Sequence, residues 1–151
     1  MINTPRPELL SPAGSLKAMR YAFAYGADAV YAGQPRYSLR VRNNEINKLE
    51  NLAAAIEEAH AGGKAFYLAS NISPHNDKVR SYIRDLEPVI EMGPDALIMS
   101  DPGLIMLVRE RWPDQEVHLS VQANAVNWAT VKFWQRQGVS RVILSLSLIH
   151  I

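Results

Sequence analysis

Asp95-Ala-Leu-Ile-Met-Ser-Asp-Pro-Gly103 is the stretch of sequence that decides the fold. Its apolar centre follows Gly93-Pro94 and predicts a short buried strand. Asp101 and Pro102 then predict the N-cap and the first position of a helix. A strand, a polar end and a helix in this order make one βα unit.

The same order recurs along the chain. The units start roughly 22 to 37 residues apart, close to the ~30 residues per unit of a (β/α)₈ barrel of about 250 residues. Together with a short strand near Leu10, they predict an α/β protein, a partial TIM-type (β/α) barrel with about six strands and five helices. The further units occupy residues 26–33, 63–71, 116–124 and 138–145.

Charge and composition exclude several classes of protein. A formal net charge of +1 gives no electrostatic case for nucleic acid or an anionic membrane surface. The absence of cysteine excludes disulfides and thiolate metal sites within these 151 residues, and we expect no metal site here. No run reaches the ~18 apolar residues of a membrane span, and the first residues lack the apolar core of a signal peptide. We therefore expect no membrane segment and a cytoplasmic location.

Local signals place two of the helices. Asn76 or Asp77 is expected to cap the third helix. The fifth helix is expected to start at Asn127, with Trp128, Val131 and Trp134 as its packing residues.

The connection after the second strand, from Gln34 to about Asn47, is unusually long. It has about 14 residues, whereas βα loops usually take 2 to 6, and such long loops are often functional. Arg40 and Arg42 could form a guanidinium pair for a dicarboxylate or an RNA phosphate, or could belong to a solvated loop face. Asn44 is a second candidate for substrate binding, although it could equally serve the geometry of a turn.

Alternation along residues 117–124 predicts a fifth strand with one apolar and one polar face. Helices cover the outer face of a barrel, so the polar face should point inward. Gln122 and Asn124 should then face the mouth, where they contact either a ligand or a structural hydrogen-bond network. Asn71 and Asp101 end their strands at the same level and join this group.

Three further residues could carry chemistry. Asp101 is explained most simply as a helix N-cap, with a catalytic role as the alternative. His75, on the third βα loop, is a weak candidate for a general base. His118 lies deeper in the fifth strand, and we expect it to be a core histidine with satisfied hydrogen bonds.

Taken together, these stretches resemble the collagenase-like peptidase family, also designated peptidase family U32. The resemblance covers about residues 6–145. Within the family, residues 38–44 and 124–134 look most like a branch that takes part in tRNA modification. The residues that carry the family resemblance lie in 8–14, 26–33, 38–44, 71–76, 95–103 and 118–124.

The resemblance implies an N-terminal barrel and, for this branch, prephenate-dependent hydroxylation of a wobble uridine in tRNA. It also implies an iron–sulfur cluster held by cysteines downstream of this chain. Two alternatives stay open: a peptidase, as the family name says, and a fragment without catalytic activity that only binds a small acid or another chain. Nothing in the sequence indicates the oligomeric state.

The end of the chain departs from the family pattern. Residues 146–151 are apolar and off-pattern, so we expect residues 1–145 to be part of the barrel domain and the tail to be a truncation artefact. Six strands cannot close an eight-stranded barrel. We therefore expect the 151-residue chain alone to leave strand edges exposed and to be inactive.

Overall fold

The computed structural model describes residues 6–39, 45–46 and 48–145. Six parallel strands form one sheet in the order β1-β2-β3-β4-β5-β6, so each strand pairs with its neighbours along the chain. The predicted half-barrel of six strands and five helices is confirmed. Its elements are β1 (Leu10–Pro12), α1 (Leu16–Ala24), β2 (Ala29–Gly33), α2 (Leu49–Ala61), β3 (Ala65–Ala69), α3 (Asn76–Glu91), β4 (Ala96–Met99), α4 (Pro102–Arg111), β5 (Val117–Leu119), a 3₁₀ turn (Val121–Ala123), α5 (Trp128–Arg136) and β6 (Arg141–Val142).

The unit that decides the fold forms as its sequence predicts. All four residues of β4 are buried. Asp101 caps α4 because its Oδ1 accepts a hydrogen bond from the backbone N–H of Leu104 at 2.9 Å. Pro102 occupies the first helical position, where its missing N–H costs no hydrogen bond.

The sheet separates two apolar clusters. Large side chains such as Phe66, Leu97 and Met99 pack outward against the helices. Smaller inward residues, among them Ala96, line the inside of the half-barrel. Because successive strand residues point to opposite faces, the three strands β2, β3 and β4 each supply both clusters.

The fifth strand is shorter than predicted. β5 ends at Leu119, and the chain turns through Val121–Ala123 into Asn124, which has a left-handed backbone with φ 51°. Val121 is 41% exposed instead of packing under the helices. Asparagine tolerates the left-handed conformation better than most residues, and this allows the strand to end in a turn.

Two predictions about the helices are wrong. Neither Asn76 nor Asp77 caps α3, since His75 takes the N-cap position without a side-chain capping bond. Trp128 is 73% exposed, whereas Trp134 is buried. Six positions separate the two tryptophans, and at 3.6 residues per turn this places them about 120° apart around the helix.

Within the described residues, no helix is both long and apolar enough to cross a membrane. The predicted off-pattern tail at 146–151 lies outside the described residues.

Gly138, after α5, has no room for a side chain. Its φ is +82°, and an added Cβ would lie 2.8 Å from Nε of Arg109. That guanidinium cannot move freely, because its Nη1 donates a hydrogen bond to the backbone oxygen of Gln115 at 3.0 Å. The side chain of Arg109 on α4 therefore lies against Gly138 at the end of α5.

We predict that Gly138→Ala lowers the thermal midpoint of the complete protein by a few degrees, the effect of about 1–2 kcal/mol of backbone strain and displacement of Arg109. The matched control is Gly62→Ala, because Gly62 has φ −84° and its added Cβ would come no closer than 3.4 Å to another atom. Differential scanning fluorimetry measures both variants. Equal midpoints for the two would contradict the prediction.

Candidate functional site

The carboxyl ends of the strands all lie at one edge of the sheet, because the strands are parallel. Barrel enzymes keep their active sites at this edge. A cavity of about 170 Å³ opens there, with the polar residues Asn71, Ser120 and Gln122 on one side. Its other walls are apolar and include Tyr31 and Ile98.

Hydrogen bonds connect the polar residues into a chain. The backbone N–H of Leu39 donates to Oδ1 of Asn71 at 3.3 Å. Nδ2 of Asn71 then donates to Oε1 of Gln122 at 2.7 Å, and Oγ of Ser120 donates to the same oxygen at 2.9 Å. This chain of bonds, which we call the amide chain, joins β3, the β5–α5 connection and the start of the long β2–α2 connection.

The structure thus brings together two of the residues singled out from the sequence, Asn71 and Gln122. Gln122 reaches the mouth from the 3₁₀ turn and not from a continued strand. Ser120, which is 4% exposed, completes the group.

The remaining sequence candidates are placed differently. Asp101 caps α4, so its predicted capping role is confirmed. Asn124 is exposed and does not face inward as a strand residue, since it ends the 3₁₀ turn. His75 is exposed at the start of α3, and its backbone oxygen accepts from the N–H of Lys78 at 2.9 Å. Arg40, Arg42 and Asn44 lie outside the described residues.

The start of the long connection is attached to the body of the protein. The hydroxyl of Tyr37, a residue 3% exposed, donates to Oδ2 of Asp85 on α3 at 2.7 Å. Arg36 forms an ion pair with the same oxygen at 3.1 Å. The connection is therefore anchored on α3 before it reaches Leu39 at the mouth.

A second polar cluster lies on the inner face, toward the amino ends of the strands. Nη1 of Arg141 donates to Oε1 of Glu8 at 2.6 Å, and the hydroxyl of Tyr67 donates to Oε2 of Glu8 at 2.8 Å. The rings of Tyr67 and His118 meet edge to face with centroids 4.7 Å apart. Sequence reasoning missed this cluster because Glu8 and Arg141 are 133 positions apart and no local pattern connects them.

Charge states in this cluster follow from burial and pairing. Burial would raise the pKa of Glu8, but the hydrogen bonds from Arg141 and Tyr67 outweigh it and hold the pKa below its ordinary value. Burial raises the pKa of Tyr67, and Glu8 acts in the same direction. Burial lowers the pKa of His118, and the positive charge of Arg141 lowers it further. At neutral pH, His118 is therefore uncharged beside an ionised Glu8 and Arg141.

The expectation that His118 has satisfied hydrogen bonds is wrong. Its Nε2 lies 3.5 Å from Oε2 of Glu116, but Nδ1 is buried and has no hydrogen-bond partner among the described residues. The ring packs edge to face against Tyr67.

Comparison with known proteins gives three findings. The sequence model of peptidase family U32 matches residues 14–149. The chain is 76% identical to tRNA hydroxylation protein P of Escherichia coli over 95% of its own length and 31% of that protein. It is 73% identical to tRNA hydroxylation protein P of Haemophilus influenzae with the same coverage. The chain therefore spans about a third of the length of the curated relatives it matches.

The fold is shared with a solved U32 peptidase. The structures align with a TM-score of 0.78 over 98% of this chain and 62% of the peptidase, at 13% sequence identity. This likeness supports the barrel fold.

We predict that His118 makes the folded protein less stable in mild acid. Its pKa in the folded state lies below the ordinary 6.5, so below about pH 6.5 the unfolded chain binds the proton more readily than the folded one. The stability that the uncharged His118 contributes above that pH is therefore lost as the pH falls. The thermal midpoint of the complete protein should thus fall between about pH 7.5 and 5.5, and His118→Gln should flatten the decline.

The control for this measurement is His75→Gln, which changes an exposed histidine and should leave the decline as steep as in the parent protein. An equally steep decline in His118→Gln would show that other groups cause it.

Proposed function

The chain belongs to peptidase family U32, and on that basis we propose that it forms part of the barrel domain of a longer protein that hydroxylates tRNA. The observation that carries the proposal is the 76% identity to tRNA hydroxylation protein P of Escherichia coli across 95% of the chain. In this proposal the modified nucleoside is a wobble uridine, prephenate is the small acid that the reaction requires, and the protein works in the cytoplasm.

The mouth of the half-barrel supplies the substrate contacts in this proposal. Asn71 and Gln122 already converge there, with Asn124 exposed on the adjacent turn. Asp101 and His75 are the titratable candidates for catalysis at the same end, although Asp101 uses one carboxylate oxygen to cap α4.

Arg40, Arg42 and Asn44 are proposed to bind the acid or an RNA phosphate. The support is the bond between Leu39 and Asn71 at the mouth, because Arg40 and Arg42 follow Leu39 by one and three positions. A guanidinium group matches a carboxylate or a phosphate with two parallel hydrogen bonds.

An iron–sulfur cluster does not fit the residues of this chain. The sequence has no cysteine, and the described residues contain no group of three or more histidine or acidic side chains that could hold a metal ion. We propose that cysteines outside these 151 residues hold the cluster of the complete protein. With a net charge of only +1, we also expect most of the surface that neutralises tRNA phosphates to lie outside this chain.

A peptidase is the second candidate, favoured by the match to the sequence model of peptidase family U32. Two hydroxyls near the mouth do not support it. Ser120 donates to Gln122, and Ser70 is bonded to the hydroxyl of Tyr82 at 2.8 Å. Neither bond is the serine–histidine pair that activates a nucleophile.

We predict that Arg40→Ala or Arg42→Ala in the complete protein lowers tRNA hydroxylation about tenfold or more, because each change removes a charge-assisted hydrogen bond that we propose to the acid or the RNA. The measurement is mass spectrometry of nucleosides from undermodified tRNA after incubation with the protein and prephenate. The matched control is Arg136→Ala on α5, which removes an exposed arginine at the end of the helix away from the mouth.

The same preparation should be incubated with gelatin. Cleavage of gelatin with unchanged tRNA would overturn the proposal in favour of a peptidase. If neither substrate changes, the proposal also fails, and the remaining interpretation is a binding protein without catalytic activity.

A further inference from the structure

The amide chain fixes which way Gln122 points its N–H groups. A backbone N–H is always a donor, so the bond from Leu39 identifies the atom of Asn71 that it reaches as the oxygen. The other end of the Asn71 amide must then be the NH₂ group, and it needs an acceptor. Oε1 of Gln122, 2.7 Å away, is that acceptor.

Ser120 occupies the remaining acceptor capacity of this oxygen. A carbonyl oxygen has two lone pairs, and Oε1 of Gln122 accepts from both Asn71 and Ser120. The Nε2 group of Gln122 therefore faces away from both partners. Gln122 lines the cavity and is exposed, so its two N–H donors are available to a ligand there.

The other cavity walls restrict what that ligand can be. The described residues that line the cavity include no charged side chain, so these residues offer a carboxylate no counter-charge to offset its desolvation. A neutral carbonyl oxygen has a smaller desolvation cost, which a hydrogen bond from Gln122 can offset. The volume of about 170 Å³ is below the ~300–1,000 Å³ of sites for drug-sized ligands, so it suits a single ring.

We propose that Gln122 is a binding residue that donates hydrogen bonds to a ring carbonyl of a pyrimidine base, and that Asn71 and Ser120 are positioning residues that orient its amide. The choice of a pyrimidine as the ring rests on the proposed function. Enzymes that modify a base commonly extrude it from the stack into a pocket, with hydrogen bonds to its polar edge and apolar contacts to its faces. Tyr31 and Ile98 provide the apolar walls here.

The test measures direct binding of two probes to the complete protein by ligand-observed NMR. Uridine presents neutral ring carbonyls, and benzoate presents a carboxylate on a ring of similar size. Both probes are measured on the double variant Arg40→Ala, Arg42→Ala, because these two arginines are proposed to bind an acid at the mouth. We expect uridine to bind this variant and benzoate to bind it more weakly. Tighter binding of benzoate to this variant, or no binding of uridine, would overturn the proposal.

Gln122→Glu is the main variant, because it keeps the shape and replaces the NH₂ donor with an acceptor oxygen. It should weaken uridine binding about tenfold or more. Gln135→Glu, the same change at an exposed position of α5, should have no effect. Equal uridine affinity for the Gln122→Glu variant and the parent protein would contradict the proposal.

Ser120→Ala tests positioning. It should weaken uridine binding about two- to fivefold, and Ser120→Thr, which keeps the hydroxyl, should restore it. Because Ser120 acts through Gln122, adding Ser120→Ala to Gln122→Glu should cause no further loss. If the losses of uridine affinity from the two changes add fully, Ser120 has a purely structural role, and its proposed positioning of Gln122 is overturned.

These binding measurements separate the inference from the proposed function. Uridine binding that depends on Gln122, in a protein that leaves tRNA unmodified, would overturn the hydroxylation and keep the carbonyl contact. If Gln122→Glu leaves the hydroxylation of tRNA unaffected, the carbonyl contact is overturned and the proposed hydroxylation stands.

Discussion

Burial of both faces of a parallel sheet is the constraint on which the rest of this structure depends. β4 shows it most simply, because its four residues are all buried, with Leu97 and Met99 facing the helices and Ala96 and Ile98 facing inward. After each strand, a helix returns the chain to the edge of the sheet where the strands begin. Every strand therefore ends at the opposite edge, which is the mouth. Small inward residues such as Ala69 leave room there for the cavity.

Polar groups on the inner face form two groups with different properties. Toward the amino ends of the strands, Glu8 accepts from Arg141 and Tyr67, and these bonds join β6 and β3 to the residues before β1. At the mouth, the bonds that begin at the backbone of Leu39 orient neutral amides and leave donors available. The side chains of the first group are hydrogen-bonded to one another, whereas the second group has N–H donors that a ligand can use.

Local signals predicted the elements whose ends they control. Asp101 and Pro102 define the start of α4 from two adjacent residues, and the six parallel strands follow from repeating this unit. The alternation beyond Leu119 misled because Val121 and Ala123 continue an apolar pattern in residues that form a 3₁₀ turn. Trp128 misled because a large aromatic residue at a helix start was assigned to the core. Contacts between distant residues had no sequence signal: the pair Glu8–Arg141 was not predicted, and Asn71 and Gln122 were placed only at the same level of the barrel.

The most direct test is a crystal structure of the complete protein with uridine bound. We predict a ring carbonyl oxygen about 3 Å from Nε2 of Gln122, with Asn71 and Ser120 still donating to Oε1 of the same side chain. A structure in which uridine binds elsewhere, or in which the Gln122 amide turns its oxygen toward the ligand, would contradict this account.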